Sequence, residues 1–253
     1  MKIAGSSAFV TGGGSGLGEA TARLLAKLGA AVHIFDRNGE AAEKVAAEIG
    51  GVALSGDVTS EEDAAKALDV AAKAGDGLRI LVNCAGIGTA GRILGREGPM
   101  PLSDFEKTIR INLIGTFNMM RLAAERMAQV LERDDKARGV IVNTASVAAF
   151  EGQIGQAAYS ASKGGIVSLG LPAAREFSRF GIRVNTIAPG LFLTPLLKGL
   201  PQEAQDSLAV AIPYPARLGD PAEFADAVRF LIENQYVNGE VIRLDGALRM
   251  QPR

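Results

Sequence analysis

The stretch SAFVTGGGSGLG, residues 7–18, decides how the chain is read. SAFVT fits one short strand, and the glycine run TGGGSGLG at 11–18 ends it abruptly before a helix-like run begins. Glycines allow a tight turn, a close approach of backbone to a pyrophosphate, and packing of the helix on the sheet. The helix start then presents free N–H groups and the positive end of its dipole to the phosphates. The spacing is Gly12-x-x-x-Gly16-x-Gly18, not G-x-G-x-x-G, so an ordinary flexible turn is the competing reading.

Outward from this turn, strand-like runs recur to the end of the chain: AAVHIFD, GVALSGD, RILVNCAG, GVIVNTAS, IRVNTIAPG and GEVIRLDG. Their near-continuous apolarity indicates strands covered on both faces, and the helical stretches between them imply parallel pairing with right-handed crossovers. The expected architecture is α/β, a doubly wound, seven-stranded, mostly parallel sheet with helices on both faces. A barrel of the same alternation needs eight units. Helix starts are expected where Thr59 precedes Glu62, Ser103 precedes Glu106, and Asp220-Pro221 precedes Glu223. Pro172 should kink or break the helix around it. No linker or low-complexity segment divides the chain, so residues 1–253 are expected to form one domain.

Composition narrows the function. Of 253 residues 47% are hydrophobic and the net charge is −1, which gives no global field for nucleic acid or an anionic membrane. One cysteine, Cys84, and one histidine, His33, allow neither an intrachain disulfide nor a His/Cys zinc site. No apolar run reaches the ~20 residues of a membrane helix. MKIAGSSAFVTGG enters a strand almost at once, leaving no room for a signal peptide, so a cytoplasmic protein is expected.

Asp36 closes the second strand about 20 residues after the glycines, where a carboxylate can bind the adenosine ribose hydroxyls. Its charge would repel a 2′-phosphate, which favours NAD over NADP. Arg37 beside it pulls the other way.

Tyr159 and Lys163, in GQAAYSASK at 155–163, stand four apart on one helical face. A tyrosine pKa near ~10 must fall for the group to act as a base at neutral pH, and a nearby ammonium favours the phenolate. Ser146 closes the fifth strand at the carboxyl edge, where open α/β sheets bind ligands.

TGGGSGLG, Asp57-Val58, Asn83-Cys84-Ala85-Gly86, Asn112, Ser146, Tyr159-x-x-x-Lys163 and Pro189-Gly190 together resemble the short-chain dehydrogenase/reductase family, in the family's order and over the whole chain. The resemblance implies a Rossmann-type fold and an oxidoreductase that interconverts a secondary alcohol and a ketone. It makes Tyr159 the acid/base and Ser146 the group that polarises the substrate oxygen. Lys163 would lower the tyrosine pKa and hold the nicotinamide ribose, and Asn112 would support a water on the proton's way out. Cofactor contacts are expected at Gly12, Ser15, Gly16, Leu17, Gly18, Asp36, Asp57, Val58, Asn83, Ala85, Gly86, Tyr159, Lys163, Pro189, Gly190 and Thr194.

GVIVNTASVAAFEGQIGQAAYSASKGGIV, GIRVNTIAPGLFLTPLL, RLGDPAEFADAV and NGEVIRLDGALRMQP resemble in particular those members that oxidise the 3-hydroxyl of acyl-CoA thioesters and also accept hydroxysteroids. The resemblance weakens over 88–102, IGTAGRILGREGPMP. A lid is expected at about 190–215, with Leu191, Phe192, Leu196 and Leu197 as an apolar wall. Gln153 and Gln156 could donate to a substrate carbonyl, and Arg92, Arg96 and Lys198 could meet CoA phosphates, although solvated surface charge is the preferred reading of each of those three. A hydroxysteroid or other hydrophobic alcohol is the alternative substrate, and a non-catalytic NAD-binding scaffold the alternative of another class. Homotetramers are general in the family, and the last strand and tail resemble the segment that packs between subunits.

Overall fold

Strand β1 (Ser7–Thr11) is buried along its whole length, and so are β4 (Leu78–Asn83) and β7 (Gly139–Thr144). Such strands need cover on both faces, and the chain supplies it. The computed structural model describes residues 1–133, 136–199 and 201–252, the side chains of Leu196 and Ala204 excepted. With β2 (Ala31–Asp36), β3 (Val52–Ser55), β8 (Ile182–Pro189) and β9 (Val241–Leu244) these strands form one seven-stranded sheet in the order β3-β2-β1-β4-β7-β8-β9. Every pairing in it is parallel, so the expected "mostly parallel" sheet is wholly so. A further pair, β5 (Leu94–Gly95) with β6 (Gly98–Pro99), makes a small antiparallel hairpin within the divergent 88–102 segment, and no strand was expected there.

The two-residue period of a strand divides β1 between two cores. Ala8 and Val10 join Leu25 of α1 (Gly16–Lys27) and Phe224 and Val228 of α9 (Pro221–Glu233) on one face. Phe9 joins Leu68 of α3 (Glu61–Ala72) and Met119 of α5 (Gly115–Met127) on the other. Each large side chain fully buried in this way contributes about 1.5–3 kcal/mol. Helix α2 (Gly39–Ile49) completes the first layer, and α6 (Ala157–Phe177) joins the second through Ala173 and Ala174.

Local signals held unevenly. The Asp220 box is complete: its carboxylate accepts from Ala222 N–H at 2.8 Å, and Glu223 accepts from Asp220 N–H at 2.8 Å. Helix α3 is capped one residue later than expected, by Ser60 rather than Thr59, whose N–H is taken by Asp57 Oδ1 at 2.8 Å. Ser103 lies inside α4 (Leu102–Ile109) and caps nothing, because Pro101 already fixes the entry. Pro172 does not break α6: it and Ser168, four residues back, are both exposed, so the missing bond falls on the watered face.

Beyond β3 the chain crosses back to β4 on the other side of β1, which opens a crevice outside the carboxyl ends of β1 and β4. The glycine turn, the β2 end and the Asn83–Gly86 segment all meet there.

Candidate active site

A cleft of about 500 Å³ occupies that crevice. Its walls include Gly12, Ser15, Gly16, Leu17 and Gly18 from the turn, Asp36 and Arg37 from the β2 end, and Asp57 and Val58 after β3. Cys84, Ala85 and Gly86, together with Tyr159 and Thr194, close it.

The turn admits no side chains where it is tightest. Gly12 has φ +64°, and a Cβ there would stand 2.8 Å from the Ala85 backbone; one on Gly18 would collide with the Gly12 carbonyl. Ser15 begins α1 without a side-chain cap, unlike Asn38, Ser60 and Asp220 at α2, α3 and α9. The first N–H groups of α1 therefore face the cleft beside Asp36. Asp36 itself accepts from Gly14 N–H at 3.0 Å and Asn38 N–H at 2.9 Å, which aims the carboxylate along the cleft wall. A glycine cradle, an open helix start and a fixed acid together fit a dinucleotide.

Four expected cofactor residues stand outside this wall. Asn83 is buried, donating to Asn143 Oδ1 at 2.9 Å. Lys163 lies deeper, its Nζ donating to the Thr144 carbonyl at 2.8 Å. Pro189 ends β8, and Gly190 packs against Asp245, where a Cβ would meet backbone at 2.9 Å.

Tyr159 and Lys163 share α6, with Nζ 5.8 Å from the ring centroid. The polypeptide alone does not lower the Tyr159 pKa as the sequence led us to expect. Burial pushes the phenol above its ordinary range, and a hydrogen bond from Ser146 only partly offsets this. Burial also brings Lys163 down to about 8. Ser146 Oγ accepts from Ala148 N–H at 3.1 Å, which fixes the oxygen of the hydroxyl that bonds to Tyr159. Asn112 lies in a π-helical turn, Arg110–Ile114, and its amide is fully engaged. It accepts from Ile87 N–H at 2.8 Å and donates to the Ile87 carbonyl and Ser162 Oγ, each at 3.0 Å.

Several residues that matter here escaped the sequence reading. Thr11 Oγ1 accepts from both Cys84 and Ala85 N–H at 3.1 Å and so fastens that segment to the β1 end. Ser162 donates to the Tyr159 carbonyl at 2.7 Å and links it to Asn112. Only its place between Tyr159 and Lys163 could have signalled this.

The substrate residues divide. Thr194 and Pro195 lie 3.5 Å from where a Gly16 Cβ would be, so the base of the expected lid covers the glycine turn. Helices α7 (Pro195–Lys198) and α8 (Gln202–Val210) follow. Phe192 is not in the cleft: it belongs to the core, edge-on to Phe224 at 6.3 Å. Leu191 lines a separate cavity of about 120 Å³ with Phe192 and Ile212. The Leu196 side chain is outside the described residues. Gln156 Oε1 accepts from Gln153 N–H, and Gln153 Nε2 donates to the Gln251 carbonyl, both at 3.0 Å. Arg92 and Arg96 are exposed on a cavity of about 670 Å³ beside the hairpin, and Lys198 is exposed on α7.

His33 is buried with Nδ1 3.4 Å from Ser7 Oγ, and its pKa is lowered by burial, as for a packed structural residue. The Cys84 thiol is pushed up to about 11 by burial and is no nucleophile.

A cleft that fits a dinucleotide, with Tyr159 in its wall and the buried Ser146 and Lys163 near that tyrosine, marks a class of hydride-transferring enzymes. The family model for short chain dehydrogenases matches residues 6–205, and the chain belongs to that family, whose members use NAD(P). It is similar to 3-hydroxyacyl-CoA dehydrogenase type-2 of Bos taurus, 52% identical over 99% of this chain and 98% of that one, and of Homo sapiens, 51% identical over the same shares. A crystal structure of 3-hydroxyacyl-CoA dehydrogenase type-2 from Mycobacterium avium superposes with a TM-score of 0.95 at 46% identity, covering both chains completely.

Proposed function

We propose that the chain interconverts 3-hydroxyacyl-CoA and 3-ketoacyl-CoA with NAD rather than NADP. The observation that carries this is likeness at about half identity, along nearly the whole of both chains, to proteins of that activity. Bound NAD supplies the hydride acceptor and a positive charge beside Tyr159. Asp36 selects the unphosphorylated ribose by charge, and the open start of α1 takes the pyrophosphate. Tyr159 accepts the proton of the substrate hydroxyl during oxidation and returns it during reduction. Ser146, its oxygen already held by Ala148 N–H, donates to the substrate oxygen. Lys163 places a cation under Tyr159 at pH values below about 8, and Asn112, its amide spent on Ile87 and Ser162, ties the Ile87 segment to the helix turn that carries Tyr159.

Assembly as a homotetramer belongs to the same proposal. Edge strand β9 is only partly covered, and Phe117, Leu171 and Phe230 each expose nearly half their surface.

Side-by-side kinetics with acetoacetyl-CoA and a hydroxysteroid test the substrate, and negligible turnover of the thioester would sink this reading. Replacing Tyr159 with Phe should cost about 10²–10⁴ in kcat while the Kd for NAD is kept. Retained turnover would overturn the role of Tyr159 and favour a scaffold that binds NAD without chemistry.

A further inference from the structure

We propose that the segment following β9 braces the loop that joins Ser146 to Tyr159, and that Glu151 and Arg243 are positioning residues for substrate. This rests on the dehydrogenase reading above, since it concerns how that site seats its alcohol.

The loop is clasped from two sides. On one side the Gly91 N–H donates to the Gly155 carbonyl at 2.8 Å. On the other, three bonds come from the segment after β9. Ile154 N–H donates to the Pro252 carbonyl at 3.0 Å, Gln153 Nε2 to the Gln251 carbonyl at 3.0 Å, and Met250 N–H to Glu151 Oε2 at 3.4 Å.

An ion-pair network anchors the second clasp. Arg243, in β9, grips Glu151 with two parallel bonds of 2.7 and 3.0 Å, and its Nε donates to Asp245 at 2.8 Å. Arg249 bridges the same two carboxylates, at 3.4 Å to Glu151 and 3.2 Å to Asp245. The Arg243 and Glu151 side chains are 22% and 25% exposed, which is buried enough to matter, and the paired guanidinium holds the Glu151 carboxyl below its usual range. Fork-to-fork geometry of this kind fixes direction as well as distance.

What the brace holds is a wall. Cavities of about 670 and 620 Å³ lie on either side of Gly155, and Arg92 lines both. The reacting groups are held by other means: Ser146 by Ala148 N–H, Lys163 by the Thr144 carbonyl and Asn112 by Ile87. Loosening the brace therefore moves the substrate wall and leaves the chemistry standing.

Steady-state kinetics and amide exchange on Glu151→Gln, Arg243→Met and Arg249→Ala test this. The first two should each raise KM for the alcohol or ketone about tenfold, the equivalent of about 1.4 kcal/mol. In these variants kcat and the Kd for NAD should stay within about twofold, because only substrate binding is lost. The double variant should be little worse than either single one, as expected of partners in one pair. Ile154 amide exchange should quicken in all three. Arg249→Ala, at a side chain 58% exposed, keeps the fold and should raise KM by a smaller factor, so it decides the matter if the other two fail to fold. Unchanged KM in a folded Glu151→Gln, or kcat, KM and NAD affinity falling together with melting temperature, would overturn the proposal. If the wild type turns over a hydroxysteroid and not the thioester, the substrate reading falls and the brace is judged on the steroid KM.

Discussion

Lys163 carries its charge at a cost that can be measured. Burial lowers its pKa from about 10.5 to about 8 in the folded chain. Below about pH 8 the amine is charged folded and unfolded alike, and the full desolvation cost applies. Above about 10.5 it is neutral in both states and the cost vanishes. Between these limits the unfolded chain binds more protons, so this residue makes stability rise with pH, by about 3 kcal/mol in all. Cys84 and Tyr159, whose raised pKa values work in the opposite direction, are present in both proteins, so the difference in unfolding free energy between wild type and Lys163→Met should rise with pH across this range; parallel curves would refute the buried charge. Asp36 offers a second test at this scale. Asp36→Asn keeps an oxygen for Gly14 N–H and removes the charge, so the NAD-over-NADP ratio of kcat/KM should fall about tenfold or more, the change that each ~1.4 kcal/mol of lost discrimination brings. An unchanged ratio would place cofactor choice elsewhere. The proposed roles of Tyr159, Lys163 and Asp36 could be drawn from the sequence because spacing along one helix face or one strand end is a local property. The partners of Gln153 and Gln156 could not, since Gln153 is engaged by a carbonyl 98 residues away.

Among the elements, the strand–glycine–helix unit was the most readable, because its requirement is steric and local. Gly18→Ala puts a methyl group onto the Gly12 carbonyl, backbone against backbone, with no side chain able to yield. Overpacking of this kind costs about 1–3 kcal/mol or more. At about 2–4 °C per kcal/mol for a chain of this size, the melting temperature should drop by several degrees. NAD affinity should fall with it, and a variant that melts and binds like wild type would deny the contact. The hairpin at 94–99 was not readable, since two-residue strands carry no periodicity for a pattern to reveal. The shift of the α3 cap from Thr59 to Ser60 has a similar origin: both residues can cap, and Asp57 decides by taking the Thr59 N–H.

At the scale of the whole molecule, the crevice between β1 and β4 follows from strand order, and the partly covered β9 edge, together with the exposed Phe117, Leu171 and Phe230 on the helices, suits the proposed interface. Light scattering should give a tetramer, and a monomer at micromolar concentration would sink the proposed assembly. The sequence by itself determined the sheet and the glycine turn, because these depend on periodicity or on residues close together in the chain; the proposed NAD preference and Ser146–Tyr159–Lys163 set came from Asp36 and the family resemblance. Only the tertiary structure decided that Phe192 belongs to the core and that Lys163 turns to the Thr144 carbonyl. It also decided that burial raises the Tyr159 pKa, and that residues 249–252 bond to the loop between Ser146 and Tyr159. Those outcomes depend on desolvation and on contacts between distant segments, which no local spacing encodes.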